Sequence, residues 1–321
     1  MSDFNSIKAQ ISALIESANA TTGNADTNLT DGVNALIGGY AQGGAGGEGV
    51  DYLEQRLNGT LSEYTNSSVT SIAELAFAYC ESLVSVNFPA CTLINRSAFQ
   101  GCYALTNINF PECTMIGNNA FIACESLKDA SFPACTSTSA GALQDCHTLA
   151  NVSFPVCKTL GYNTFQSCFA LTNANFPACT FISSNVFNSC SALTNVSFPV
   201  CKTIGESAFK GCFALSSVNF PACTTVSSYA FSACSALERA DFQACVSFRG
   251  GAFSKCSSLT TLLLGASSVC TLAVSTILKG TPIESGTGYI YVPASLVDTY
   301  KSATNWTYYS AQISAIEDMP S

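Results

Sequence analysis

The stretch AFQGCYALTNINFP, residues 98–111, decides how this chain folds, because the chain repeats it. Its phenylalanine returns as Phe77, Phe99, Phe121, Leu143, Phe165, Phe187, Phe209, Phe231 and Phe253, every 22 residues without a slip. A cysteine follows three residues later, from Cys80 to Cys256, and a leucine three further on, from Leu83 to Leu259. A second cysteine series, Cys91 to Cys245, follows the strand phenylalanines such as Phe88. The whole unit reads L-x-x-[VIA]-x-F-P-x-C-x-x-[ILV]-x-x-x-[AVT]-F-x-x-C-x-x. The alternation from Val86 to Phe88 suits one face of a β-strand. Pro89 has no N–H to give a ladder, so it ends the strand and turns the chain. Cys91, Ile94, Ala98 and Phe99 then point inward again. One unit of this size cannot bury its apolar face, so stacked copies must supply the core to one another. With about 4.8 Å between neighbouring parallel strands, nine or ten coils predict a rod roughly 45 Å long.

The array has readable ends and a readable history. Residues 61–82 form a degenerate coil, in which Leu61, Tyr64 and Ile72 hold their repeat positions while Asn66 and Ser67 replace Phe-Pro. Residues 151–194 and 195–238 agree at 28 of 44 positions, the mark of a duplicated two-coil unit. The pattern decays after Leu264, and YIYVPASLVDTYKSATNWTYYSAQI (289–313) reads as a final strand followed by an amphipathic helix.

With cysteine where asparagine often stands, the order L-x-x-[VIA]-x-F-x-x-C-x-x-[IL] is similar to the leucine-rich-repeat signature. From residue 61 to about 318 the chain resembles the BspA-type leucine-rich repeats of bacterial and gut-anaerobe proteins. The resemblance implies an α/β-type solenoid of 22-residue coils, with a short parallel β-strand in each half of the coil and a C-terminal cap. It also implies adhesion or surface-exposed binding.

Residues 1–37 are different in kind. Phe4, Ile7, Ile11, Leu14 and Ala18 follow 3-4-3-4 spacing, which predicts an N-terminal helix with a coiled-coil-like seam. Two heptads are too few to stand alone. Val33, Leu36, Ile37 and Tyr40 follow a helix-start signal at Thr30-Asp31, and the glycines of 38–49 make a flexible linker. A short seam on a flexible tether suits docking or self-association. The segment resembles the N-termini of tail and baseplate-associated proteins in phages and prophages of gut Firmicutes. That resemblance implies attachment to a phage tail or baseplate protein, a virion address after synthesis in a bacterial cytoplasm, or a homo-oligomer through the helix. A bacterial surface or secreted adhesin, or a passive spacer, is the alternative. The chain thus divides into an attachment segment (1–37), a linker (38–49), an N-terminal cap with the degenerate repeat (50–82), the solenoid (83–264), and a last irregular repeat with the C-terminal cap (265–321).

Composition limits the chemistry. Only 10% of the 321 residues are charged and 48% are hydrophobic, yet no run approaches the ~20 apolar residues that span a bilayer. Met1-Ser2-Asp3-Phe4 opens without a basic region and apolar run, so no secretory signal is expected. Between Phe77 and Leu264, eight basic residues balance eight acidic ones, so the net charge of −9 sits in the two ends. Nucleic acid needs a basic stripe to displace counterions, and none is present. The 18 cysteines lack the close C-x-x-C pairs of zinc sites, and stacked equivalents one strand spacing apart do not match disulfide geometry. Buried free thiols, behaving as small hydrophobes, are the expectation. Residues 44–49 spell G-x-G-x-x-G without a preceding strand or βαβ context. His147 is the single histidine, at a position expected to be a solvated loop, and no G-x-S-x-G or H-E-x-x-H string occurs. No enzyme, cofactor or metal is expected.

The outward strand positions carry the remaining functional signal. One row reads Asn87, Asn109, Ser131, Ser153, Asn175, Ser197, Asn219, Asp241, and its neighbour reads Ser85, Asn107, Asp129, Asn151, Asn173, Asn195, Ser217, Arg239. Such a surface can hydrogen-bond a cell-surface glycan or a protein partner's polar backbone. Solvent-facing repeat positions that simply drift to small polar residues would look the same. Tyr103, Tyr162, Phe169, Phe213 and Tyr229 are candidate aromatic contacts, and equally candidate covers over neighbouring coils.

Overall fold

Each coil turns twice through short parallel strands, and the residues that make them are those the repeat predicts. A computed structural model describes residues 55–56 and 59–320. The seam of Phe4, Ile7, Ile11 and Leu14 and the glycine linker lie outside the described residues. Three-residue strands such as Ser85–Asn87 and Asn107–Asn109 line one side of the coil, and two-residue strands such as Leu93–Ile94 and Met115–Ile116 line another. Equivalent residues pair directly, Val86 with Ile108 and Ile94 with Ile116, so the register equals the sequence repeat. The result is a parallel-strand β-solenoid of about 12 turns. The two-residue strands form one ten-stranded sheet, from Ser71–Ile72 to Thr271–Leu272.

Two columns of phenylalanine rings fill the core. Rings of the corner column stack at 5.0–5.4 Å, broken only where Leu143 replaces Phe. A second column, from Phe88 to Phe242, stacks at 5.3–6.0 Å. The degenerate first coil joins in: Tyr64 packs on Phe77 and Phe88, and Leu61 and Ile72 are buried.

The corner that precedes each three-residue strand is built from alternating backbone hands. Ser97 and Gly101, Asn119 and Ala123, Asn163 and Ser167, and Asn185 and Ser189 all have positive φ. The alternation aims the N–H groups of Ser97, Phe99 and Gly101 at the carbonyls of Asn118, Ala120 and Ile122 in the next coil. Every such bond runs toward the C-terminal neighbour. In the first coil the carbonyls of Leu75, Ala76 and Ala78 take the Arg56 guanidinium, whose planar fork spans them. At the far end, Trp306 Nε1 donates to the Cys270 carbonyl, the Cys270 N–H donates to the Tyr300 hydroxyl, and Asn305 Nδ2 donates to the Leu272 carbonyl. These side chains serve the outer edge of the last two-residue strand, which would otherwise template aggregation.

Two expectations change. The α/β alternation is absent: among the described residues, helix is confined to Gln55–Arg56, the six residues Val297–Ser302 and short 3-10 turns. A 22-residue coil spends its residues on two strands and the left-handed corner, leaving no length for a helix. At the C-terminus, the amphipathic helix expected after the strand within 289–313 shrinks to that single segment. Tyr289–Val292 is not the final strand, because Ile313–Ala315 pairs beside it.

The three-residue face has a period of two coils. Its ladder breaks between Asn107–Asn109 and Asp129–Ser131, between Asn151–Ser153 and Asn173–Asn175, and between Asn195–Ser197 and Ser217–Asn219. From Phe88 to Phe220, rings of the second column are 5.3–5.5 Å apart within the pairs and 5.8–6.0 Å across the breaks; Phe220 and Phe242, where the ladder is continuous, are 5.8 Å apart. Glycine explains the tight halves. Gly117, Gly161 and Gly205 recur every 44 residues, and a Cβ on each would meet the backbone of the preceding coil at 2.4–2.7 Å. In alternate coils a polar side chain holds that place, as where Asn95 Nδ2 donates to the Ile72 carbonyl and Ser183 Oγ to the Leu160 carbonyl. The 44-residue duplication is thus a structural unit as well as a sequence one. Gly161→Ala should lower stability by about 1–3 kcal/mol in urea titration, the usual cost of overpacking. Gly250→Ala, where the new Cβ meets only Val274 Cγ2 at 3.5 Å, should be neutral. Equal effects at both sites would show that close coil approach is not what Gly161 provides.

Candidate binding face

The outward rows emerge as the alternation predicts. In Asn107–Asn109, Asn151–Ser153, Asn173–Asn175 and Asn195–Ser197 the first and third residues are exposed, while the middle one turns toward the core. Asn219 is exposed and Asn87 half-buried. On this face, side-chain amides tie coils together within the tight pairs: Asn109 Nδ2 to Asn87 Oδ1 at 2.7 Å, Asn151 Nδ2 to Asp129 Oδ1 at 2.7 Å, and Asn195 Nδ2 to Asn173 Oδ1 at 3.0 Å. Asn107, Asn173 and Asn195 also donate to the hydroxyl of the preceding threonine. Asn175 and Asn219 make no side-chain hydrogen bond among the described residues, so both amides are available.

The middle residues alternate as well. Val86, Ala130, Ala174 and Val218 are buried, whereas Ile108, Val152 and Val196, which border the breaks, are half-buried. Nothing in the composition of a single coil marks these three residues. Only the 44-residue recurrence of Gly117, Gly161 and Gly205 could have found them. The face is close to neutral: Arg239 pairs with Asp241 at 3.0 Å, and Asp129 accepts from Asn151.

The candidate aromatics lie elsewhere. Tyr103, Phe169 and Phe213 follow the corner cysteines, and Tyr162 and Tyr229 sit on the corner itself, so none belongs to the asparagine rows. They are exposed, but some act as covers: Tyr229 lies over Gly251, and Tyr79, which the sequence reading passed over, lies over Gly101. Phe169 stacks on His147 at 4.9 Å, and His147 Nδ1 is 4.0 Å from Glu125 Oε1, so the histidine is half-buried rather than simply solvated.

All 18 cysteines are free and buried. The corner series has a specific task. From Cys102 to Cys256, each thiol donates to the carbonyl of the corner residue 25 positions earlier, at 3.0–3.3 Å. In the other series, thiols such as Cys91 and Cys201 donate to the carbonyl two residues on. Cysteine is therefore a small hydrophobe with a weak donor, which alanine and valine lack. Burial pushes the thiols of Cys113, Cys146 and Cys179 up to about 12, which keeps them protonated and unreactive. At the last step the Cys270 thiol lies 3.7 Å from Cys245 Sγ, and that contact together with burial pushes the Cys245 thiol up. No group of three or more His, Cys, Asp or Glu side chains among the described residues converges to hold a metal ion. No helix among them is long and apolar enough to cross a membrane. A groove of about 520 Å³ at the first coil is lined by Arg56, Leu61, Tyr79 and Glu81.

Parallel strands in a 22-residue register, leucines, phenylalanines and cysteines pointing inward and short polar residues outward define a leucine-rich-repeat-like β-solenoid. The chain belongs to the BspA-type leucine-rich-repeat family, whose repeat region matches in six copies over residues 61–172 and 158–276. Among solved structures, the chain is similar to a leucine-rich-repeat protein of T. pallidum, at 27% identity over 48% of this chain and 78% of that one, with a TM-score of 0.46. A leucine-rich-repeat protein of Bacteroides ovatus is 21% identical over 81% of this chain and 85% of that one, with a TM-score of 0.47. No curated protein matches.

Two predictions follow from the thiols. Native protein should react slowly with a thiol reagent, and protein denatured without reductant should release close to 18 equivalents. A large deficit would reveal disulfides or bound metal. Because folding raises thiols from their ordinary 9.0 toward 12, their contribution to stability is complete below pH 9 and is lost as pH rises through 9–12. Each such thiol should contribute a slope of about 1.4 kcal/mol per pH unit in that window. Urea midpoints unchanged between pH 8 and pH 10.5 would place these thiols in water.

Proposed function

We propose that this chain is a non-catalytic recognition solenoid, which offers its asparagine-bearing strand face to a protein or cell-surface glycan and is carried by its N-terminal segment. The carrying observation is the face itself. Two rows of exposed amides and hydroxyls stand on rigid strands, at fixed spacing, with Asn175 and Asn219 unengaged. Preorganised polar groups of this kind bind without paying to order a loop. BspA-type leucine-rich repeats of bacterial surface type accord with a binding or adhesion role. The carrier we propose is a phage tail or baseplate protein, or a second copy of the chain, engaged through Phe4, Ile7, Ile11 and Leu14. That part rests on the seam spacing and the resemblance of residues 7–40.

Labelled full-length chain should bind gut bacterial cells or arrayed surface glycans, and Asn175→Ala with Asn219→Ala should weaken binding at least tenfold while circular dichroism stays unchanged. A folded chain that captures neither cells nor glycans would be a spacer. Ile7→Asp with Ile11→Asp should abolish self-association or carrier recovery and leave cell binding per chain intact. A strictly monomeric full-length chain that recovers no carrier would remove the attachment role.

A further inference from the structure

We infer that the strand face binds an uncharged, β-linked linear polysaccharide laid along the solenoid axis, with two sugar rings to each two-coil step. This rests on the recognition reading above and names its ligand class. The starting point is that the face repeats in twos although its residues repeat in ones. The side-chain hydrogen bonds from Asn109 to Asn87, Asn151 to Asp129 and Asn195 to Asn173 mark closed pairs, and after each pair the ladder opens. Under each opening lies an inward-turned middle residue, Ile108, Val152 or Val196, left half-buried where Ala130, Ala174 and Val218 are buried. The same local chemistry thus recurs three times at two strand spacings, ~9.6 Å.

A partner that meets three equivalent sites in succession must itself repeat at that interval. Globular protein surfaces do not. An extended polypeptide returns the same face every second residue, ~6.7 Å, and falls out of step. A nucleic acid needs cations to neutralise its phosphates, and here Arg239 is paired with Asp241. An extended chain of β-linked hexoses advances by about one strand spacing per ring and turns each ring over relative to the last, so one ring face returns every second sugar. Its hydroxyls suit the asparagine amides, above all those of Asn175 and Asn219, which stand exposed two coils apart with no side-chain hydrogen bond. The neutrality of the rows selects an uncharged polymer.

The test is isothermal titration of the full-length chain with cello-, manno-, xylo- and N-acetylchito-oligosaccharides of two to eight rings. For one of these series, affinity should rise in two-ring steps and level off near six rings, where the three openings are filled. Helical α-linked malto-oligosaccharides and polyanionic glycans should not bind. Ser153→Lys, which puts a charge on the exposed row beside the middle opening, should weaken six-ring binding at least tenfold and two-ring binding less than threefold. Phe181→Lys, an exposed position on the two-residue strands, should leave both unchanged. Thermal melts of each variant confirm folding, and Ser153→Glu replaces the lysine variant if that one unfolds. No binding in any β-linked series, binding that climbs evenly ring by ring, or preference for polyanions overturns the ligand assignment. If cells are still captured through Asn175 and Asn219 in that event, the recognition reading stands and only the polysaccharide falls.

Discussion

One axial rise has to satisfy every interaction in this molecule at once. Parallel strands bond at about 4.8 Å, phenylalanine rings stack at 5.0–6.0 Å, and thiols must reach the carbonyl of the previous coil. A register of 22 residues brings all three into step, because each residue type meets its own copy. The core is consequently made of columns rather than of a jigsaw. Its tolerance is visible at Leu143, which interrupts the corner ring column while the neighbouring column continues from Phe132 to Phe154.

The slack left in that compromise is taken up on one side. The two-residue strands stay continuous over ten coils, so small differences between alternate coils accumulate on the three-residue face. There Gly117, Gly161 and Gly205 draw their coils onto the preceding backbone, and the opposite step opens. Core packing and surface pattern are therefore linked: a glycine on the far side of the coil decides where the asparagine face is closed and where it opens over Val152.

Much of this was legible in the residues. The phenylalanine and cysteine periods gave coil length, inward faces and strand positions, because a period that never slips admits one way of stacking. The degenerate first coil and the outward position of the asparagine rows follow from the same period, whereas what those rows bind does not. The corner was not legible, since its left-handed positions are held by Tyr79, Ala123, Tyr229 and Lys255 as well as by glycine and asparagine. Inter-coil hydrogen bonds impose that conformation, and residue type hardly reports it. The expected α/β alternation failed because family likeness, not periodicity, supplied it. Tyr103 and Phe169 were grouped with the asparagines as contacts, yet a sequence gives no distance between a corner and a strand face.

Arg56 at one end and Trp306, Tyr300 and Asn305 at the other close the solenoid independently of what lies between them. Length is then a free variable for evolution, but not a continuous one. Inserting 22 residues would set two glycine coils or two serine coils side by side and break the alternation. Inserting 44 restores it and leaves both ends untouched. The agreement of 151–194 with 195–238 at 28 of 44 positions shows which increment was copied. The molecule behaves as a ruler with graduations of two coils, able to gain or lose reach by recombination without a new folding problem to solve.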